Sequence, residues 1–210
     1  MDEADLPQLY LITPPEFDLS AFPQQLNKVL DAADIACIRL SLATRDEDRI
    51  LRAADAVREV AHAHDIALVL DTHIGLAQRL GLDGVHLTDG ARTVRHARKE
   101  LGPDAIVGAS CGASRHDGMN ACEAGADYVT FGPVAGEALG DGTLADFELF
   151  EWWSQMIEVP CVAEGGLSDA LITSLTPVTD FFGIGEEIWS QDDPAQAIAR
   201  LAAAMAQTKG

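Results

Sequence analysis

The chain has 210 residues, of which 48% are hydrophobic, enough to fill the core of one domain of ordinary size. Its formal net charge is −20, and its 14 lysines and arginines are scattered among acids, which speaks against nucleic acid or an anionic membrane as partner. No apolar stretch reaches the roughly 18 residues of a membrane-crossing helix, and the opening Met1-Asp2-Glu3-Ala4-Asp5 is acidic rather than signal-like.

Short apolar runs alternate with helical patterns along the whole chain. Runs at 9–13 and 36–40 each read as a buried strand. A helix follows over 46–64, with Ile50, Ala53, Ala54, Val57, Val60 and Ala61 on one face and the acids Asp46 and Glu47 in its first turn. Runs at 67–71 and 84–87 come next, then a helix over 93–101 that Gly102-Pro103 stops. The remaining runs are 106–110, 128–132, 161–164 and 180–184. Ser168 suits the N-cap of the helix between the last two, and Asp193-Pro194 opens the final helix. Cys37, Cys111, Cys122 and Cys161 form no CxxC pair and no disulfide framework; Cys37 and Cys161 read as small core hydrophobes, and a reducing cytoplasm is the expected setting.

Eight strands alternating with helices imply a parallel sheet with right-handed crossovers. Eight units in this length favour a closed (β/α)8 TIM barrel, an α/β single domain over 1–210 with its core at about 9–205; an open doubly wound sheet is the alternative.

In such a barrel the chemistry sits at the C-terminal ends of the strands. That rule selects Thr13; Arg39 and Ser41; Asp71, Thr72 and His73; His86, Thr88 and Asp89; Ser110 and Cys111; Gly132 and Pro133; Glu164, Gly165 and Gly166; and Gly185, Glu186 and Glu187. Arg39 is the one central cation among several carboxylates, which could hold Mg2+, bind a cationic ligand, or cap helices. Gly165-Gly166 could offer backbone N–H groups to a phosphate. Glu164, Glu186 and Glu187 flank that loop, so either these acids turn outward or the mouth holds no phosphate. His86 reads as a hydrogen-bonded core residue or as a base poised near neutral pH. The glycine-rich stretch 135–144 could serve as a lid.

The strings Leu9-Tyr10-Leu11-Ile12-Thr13, Asp83-Gly84-Val85-His86-Leu87, Ala124-Gly125-Ala126-Asp127-Tyr128-Val129, Phe131-Gly132-Pro133-Val134 and Ala163-Glu164-Gly165-Gly166-Leu167 resemble, in order and spacing, the thiamine phosphate synthase and thiazole tautomerase family. The resemblance implies a Mg2+-dependent barrel that joins an aminopyrimidine diphosphate to a thiazole phosphate and releases pyrophosphate. A divergent member would use Arg39 and Ser110 as catalytic residues, with Asp71 and Asp89, one and two places before the family's metal positions, as metal ligands. The substrate would lie against Thr13, His86, Gly132, Gly165, Gly166 and Glu186.

The chain also departs from the family pattern. Cys37 and Ser41 stand where the family's Gln-x-Arg-x-Lys has Gln and Lys, and Thr72 and Ala91 stand where it has metal-binding Asp. Its Thr-x-Thr-Lys falls on Glu137, Leu139 and Gly140, its last Ser falls on Glu186, and Gly112 occupies the place of the tautomerase His. Two expectations follow. One is a divergent synthase; the other is a catalytically silent or repurposed barrel that binds a small ligand, with or without a phosphate, or a regulatory partner. A small molecule is the expected partner, and self-association into a homo-oligomer stays open.

Overall fold

The computed structural model describes residues 6–136 and 143–206. Eight parallel strands close in chain order into a barrel: β1 (Gln8–Ile12), β2 (Ile35–Leu40), β3 (Ala67–Asp71), β4 (Gly84–Leu87), β5 (Ile106–Ser110), β6 (Tyr128–Phe131), β7 (Cys161–Glu164) and β8 (Phe181–Ile184), with β8 pairing back onto β1. The outer layer is α1 (Phe22–Ala32), α2 (Glu47–Ala63), α3 (Ile74–Leu80), α4 (Val94–Leu101), α5 (Arg115–Ala124), α6 (Phe147–Met156) and α7 (Asp169–Leu175). A short α8 (Glu186–Trp189) and α9 (Pro194–Ala206) complete it. The open sheet is thereby excluded. No described helix is long and apolar enough to cross a membrane.

Four strands have the expected bounds. Elsewhere Thr13 and Gly132 lie one residue past β1 and β6, β2 starts at Ile35, and Asp180 precedes β8. Asp180 belongs to a repeated device. Its carboxylate accepts the N–H of Cys161 on the preceding strand (2.8 Å), as Asp83 does from Leu68 (2.7 Å) and Asp127 from Val107 (2.7 Å). An acid at the entry of every second strand from β4 onward thus satisfies an otherwise unpaired donor next door. The Asp of the two most recognisable strings, at 83 and 127, is accordingly a structural residue.

Helix boundaries follow their caps. Asp46 accepts from the N–H groups of Asp48 and Arg49 at the start of α2, and Ser168 from Leu171 at the start of α7. The main core lies between barrel and helices. Inside the barrel a smaller cluster of Tyr10, Val69, Tyr128 and Val162 packs against Ile12 and Cys37. Cys161 is fully buried in the main core, and burial pushes its thiol up to about 12, the behaviour of a small hydrophobe.

Glycines make room for this interior. A Cβ on Gly108 would lie 2.0 Å from the Tyr128 ring, and one on Gly84 would lie 1.8 Å from the Ile106 carbonyl oxygen. The second contact is with backbone in a paired strand and cannot be relieved by a rotamer change. Gly84→Ala is therefore expected to lower unfolding free energy by about 3 kcal/mol or more in a urea titration; a loss below about 1 kcal/mol would show that β4 and β5 can part at no cost.

Candidate active site

β2 carries Arg39 into the barrel mouth, where it is 8% exposed. Its Nε donates to Asp71 Oδ1 at 2.7 Å and its Nη2 to Asp71 Oδ2 at 3.4 Å. Its Nη1 donates to Glu164 Oε2 at 3.0 Å. Asp71 ends β3 and Glu164 ends β7, so the clamp spans strands that only barrel closure brings together. Burial alone would disfavour the charged guanidinium. The charges of Glu164 and Asp71 outweigh it and hold Arg39 more firmly protonated than usual. A guanidinium has five N–H donors, and three are engaged here, leaving one on each terminal nitrogen.

The other oxygen of Glu164 connects the clamp to a buried chain. Thr130 Oγ1 donates to Glu164 Oε1 at 2.9 Å. Thr130 has one hydroxyl hydrogen and a carboxylate only accepts, so the 3.4 Å contact between Ser110 and Thr130 runs with Ser110 as donor. Behind Ser110, His86 Nε2 lies 2.8 Å from its Oγ, His86 Nδ1 lies 3.0 Å from Tyr128 Oη, and Tyr128 Oη lies 2.6 Å from Tyr10 Oη. One polarity supplies every hydrogen with an acceptor: Tyr10 to Tyr128, Tyr128 to His86 Nδ1, His86 Nε2 to Ser110, and onward to Glu164. Burial, with Arg39 adding to it, pushes the His86 pKa well down, and burial pushes both tyrosines up, so all three are neutral.

This arrangement settles His86 as a hydrogen-bonded core residue. It is fully buried with both ring nitrogens bonded to protein, so the expected substrate contact is corrected to a support role behind Ser110. Thr13 is likewise 3% exposed, and its Oγ1 accepts the N–H of Ser41, which ties the exits of β1 and β2 together. Asp89, Ser110 and Gly132 do come together, lining a cleft of about 480 Å³ with Arg92, Ser114 and Asp117. The sequence reading passed over Arg92, an exposed cation beside Ala91, and over Thr130. The only available signal for Thr130 was its place near the end of β6.

Gly165 and Gly166 adopt φ of +83° and +81°, and a Cβ on Gly166 would lie 2.4 Å from the Ala135 carbonyl oxygen. The turn they form aims backbone donors at one point, and a carboxylate lies there. Glu187 Oε1 accepts from Gly166 N (3.0 Å) and Leu167 N (3.2 Å), and its Oε2 from Gly185 N (2.8 Å). The expectation that these acids turn outward holds for only one of the three. Glu164 turns in to Arg39, Glu187 turns in to the loop amides, and Glu186, the expected substrate contact, is exposed.

The residues do not fit a resident Mg2+. Arg39 engages both oxygens of Asp71, and Asp89 Oδ1 accepts the Thr93 hydroxyl at 2.8 Å. Among the described residues no group of three or more His, Cys, Asp or Glu could hold a metal ion. Glu137, Leu139 and Gly140, and with them most of the glycine-rich stretch, lie outside the described residues.

Residues 9–178 match the family model described as thiamine monophosphate synthase. The chain is 43% identical over 195 residues to the thiamine-phosphate synthase of Rhodospirillum centenum, covering 91% of this chain and 94% of that protein. It is 39% identical over 213 residues to that of Erythrobacter litoralis, covering 97% and 100%. Thiamine phosphate pyrophosphorylase from Pyrococcus furiosus superposes with a TM-score of 0.83 at 20% identity over 97% of both chains, a likeness of fold.

Two outcomes are expected of the site itself. His86 is held neutral, so below about pH 6.5 the unfolded state binds a proton that the folded state refuses, and stability falls as pH falls. Urea unfolding should show a loss of about 1.4 kcal/mol per pH unit in that window, reduced in His86→Gln; equal slopes in both proteins would contradict a neutral buried His86. Mg2+ alone, at about 5 mM, should shift the melting temperature by less than about 1 °C, whereas a rise of several degrees would reveal a resident site.

Proposed function

The chain belongs to the thiamine monophosphate synthase family, and from that premise we propose that it joins an aminopyrimidine diphosphate to a thiazole phosphate, releasing pyrophosphate. The observation that carries this reading is 39–43% identity to thiamine-phosphate synthases over nearly the whole chain, with Arg39 kept at the mouth. In the reaction the C–O bond to the diphosphate breaks, and the leaving group takes the electron pair. The thiazole nitrogen then forms the new C–N bond to the pyrimidine carbocation.

The mouth suits both halves of that event. The two N–H groups of Arg39 outside its clamp are donors for the departing pyrophosphate. Asp71 and Glu164 place two negative charges against one cation, and this surplus favours a positive charge developing on the pyrimidine. Ser110, which accepts from His86 and donates to Thr130, lines the cleft as part of this network, and Arg92 adds a cation at its rim. Mg2+ is assigned to the diphosphate as its counter-ion in the substrate, since Asp71 is engaged by Arg39 and no step here depends on a resident ion. The four free cysteines agree with a reducing, cytoplasmic setting.

The silent-barrel reading draws on a different observation, the Glu187 carboxylate on the amides of the β7 loop. Product formation separates the two. Purified protein given both substrates and Mg2+ is expected to form thiamine phosphate, with turnover falling about 100-fold or more in Arg39→Ala. Absence of product from the wild-type protein, with no stabilisation by pyrophosphate, would establish the silent barrel instead.

A further inference from the structure

Three backbone N–H groups from two loops converge on one anion, and that anion is the chain's own. Gly166 and Leu167 follow β7, Gly185 follows β8, and all three donate to the two oxygens of Glu187. The loop is shaped for this convergence by two glycines at positive φ, neither of which has room for a side chain. In barrels of this kind the loops after the seventh and eighth strands are where a phosphate is bound. A carboxylate and a phosphate cannot share the same three donors, and at a few ångströms they repel.

We propose that Glu187 is an internal competitor for the phosphate of the second substrate, a latch that the incoming phosphate must displace from the Gly166, Leu167 and Gly185 amides. The proposal rests on the reading that this substrate carries a phosphate. It makes Glu187 a residue that sets the affinity for the phosphate ester. Glu186 supplies the contrast, because it brings the same charge one residue away, is exposed, and has no amide contact through its side chain. A residue that merely staples the start of α8 to the β7 loop would stabilise the fold without competing for anions.

The test compares wild type, Glu187→Gln and Glu186→Gln with inorganic phosphate as probe, read by thermal shift and calorimetry. Glu187→Gln is expected to bind phosphate about tenfold more tightly than wild type, because the phosphate then displaces a neutral amide oxygen in place of a charge-assisted acceptor. Glu186→Gln should gain less, since it removes the same charge without weakening any hydrogen bond to the loop amides. In turnover, Glu187→Gln should lower KM for the thiazole phosphate by a similar factor while KM for the diphosphate does not follow. Equal gains in both variants, or no gain in either, would overturn the latch.

A measurement on the unmodified chain covers the case in which Glu187→Gln does not fold. In an NMR titration of labelled wild-type protein with inorganic phosphate, the Gly166, Leu167 and Gly185 amides and the Glu187 side-chain carboxyl should shift together. If those signals stay fixed while phosphate binds elsewhere or not at all, the latch is wrong. Neither phosphate experiment requires turnover, so a failure of the coupling reaction and a failure of the latch are read separately.

Discussion

Arg39 leaves β2 at the mouth of a closed barrel, where its guanidinium has little access to water and must be paired where it stands. The acids that reach it are the last residues of β3 and β7, and each is drawn into place by it. Glu164, once turned inward, needs a partner for its second oxygen and takes the Thr130 hydroxyl. From there the chain runs through Ser110, His86, Tyr128 and Tyr10, so that seven strands, β1 to β7, each contribute a side chain to one connected network. The eighth contributes space. A Cβ on Gly183 of β8 would lie 2.9 Å from the Cβ of Glu164.

This network has an electrostatic consequence. One cation balanced by two carboxylates leaves the centre of the mouth negative, in a chain already carrying −20. Such a centre favours a carbocation and disfavours free phosphate. On the proposed function, the donors left for an anionic group are directed ones and not a bulk positive charge: the remaining N–H groups of Arg39 and the loop amides that Glu187 now covers. The inward turns of Glu164 and Glu187 add negative charge to a rim where Ser41 stands in place of the family's Lys.

Strand positions were legible because each is a compact apolar run between helical patterns, and every boundary fell within a residue of its expected place. Arg39, Asp71, Ser110 and Asp89 were legible as positions at the rim, since alternation and barrel closure dictate which residues end there. Their partnerships were not. Arg39 and Glu164 are 125 residues apart, and no local pattern says which of several rim acids a lone cation will take. Glu186 and Glu187 are adjacent and chemically identical, and the turn into α8 alone decides that the second faces the loop amides. His86 was left between core residue and base because its role depends on Tyr128 and Ser110 from other strands.

Arg39 works as a fork, holding two carboxylates with three of its five N–H groups, and not simply as a positive charge. Calorimetric titration of pyrophosphate into wild type and Arg39→Lys tests this most directly. A lysine keeps the charge but cannot span Asp71 and Glu164 and still offer directed donors. The lysine variant is expected to bind pyrophosphate at least about tenfold more weakly than wild type. Equal affinity in the two proteins would mean that any cation suffices at this position, and that the clamp does not organise the mouth.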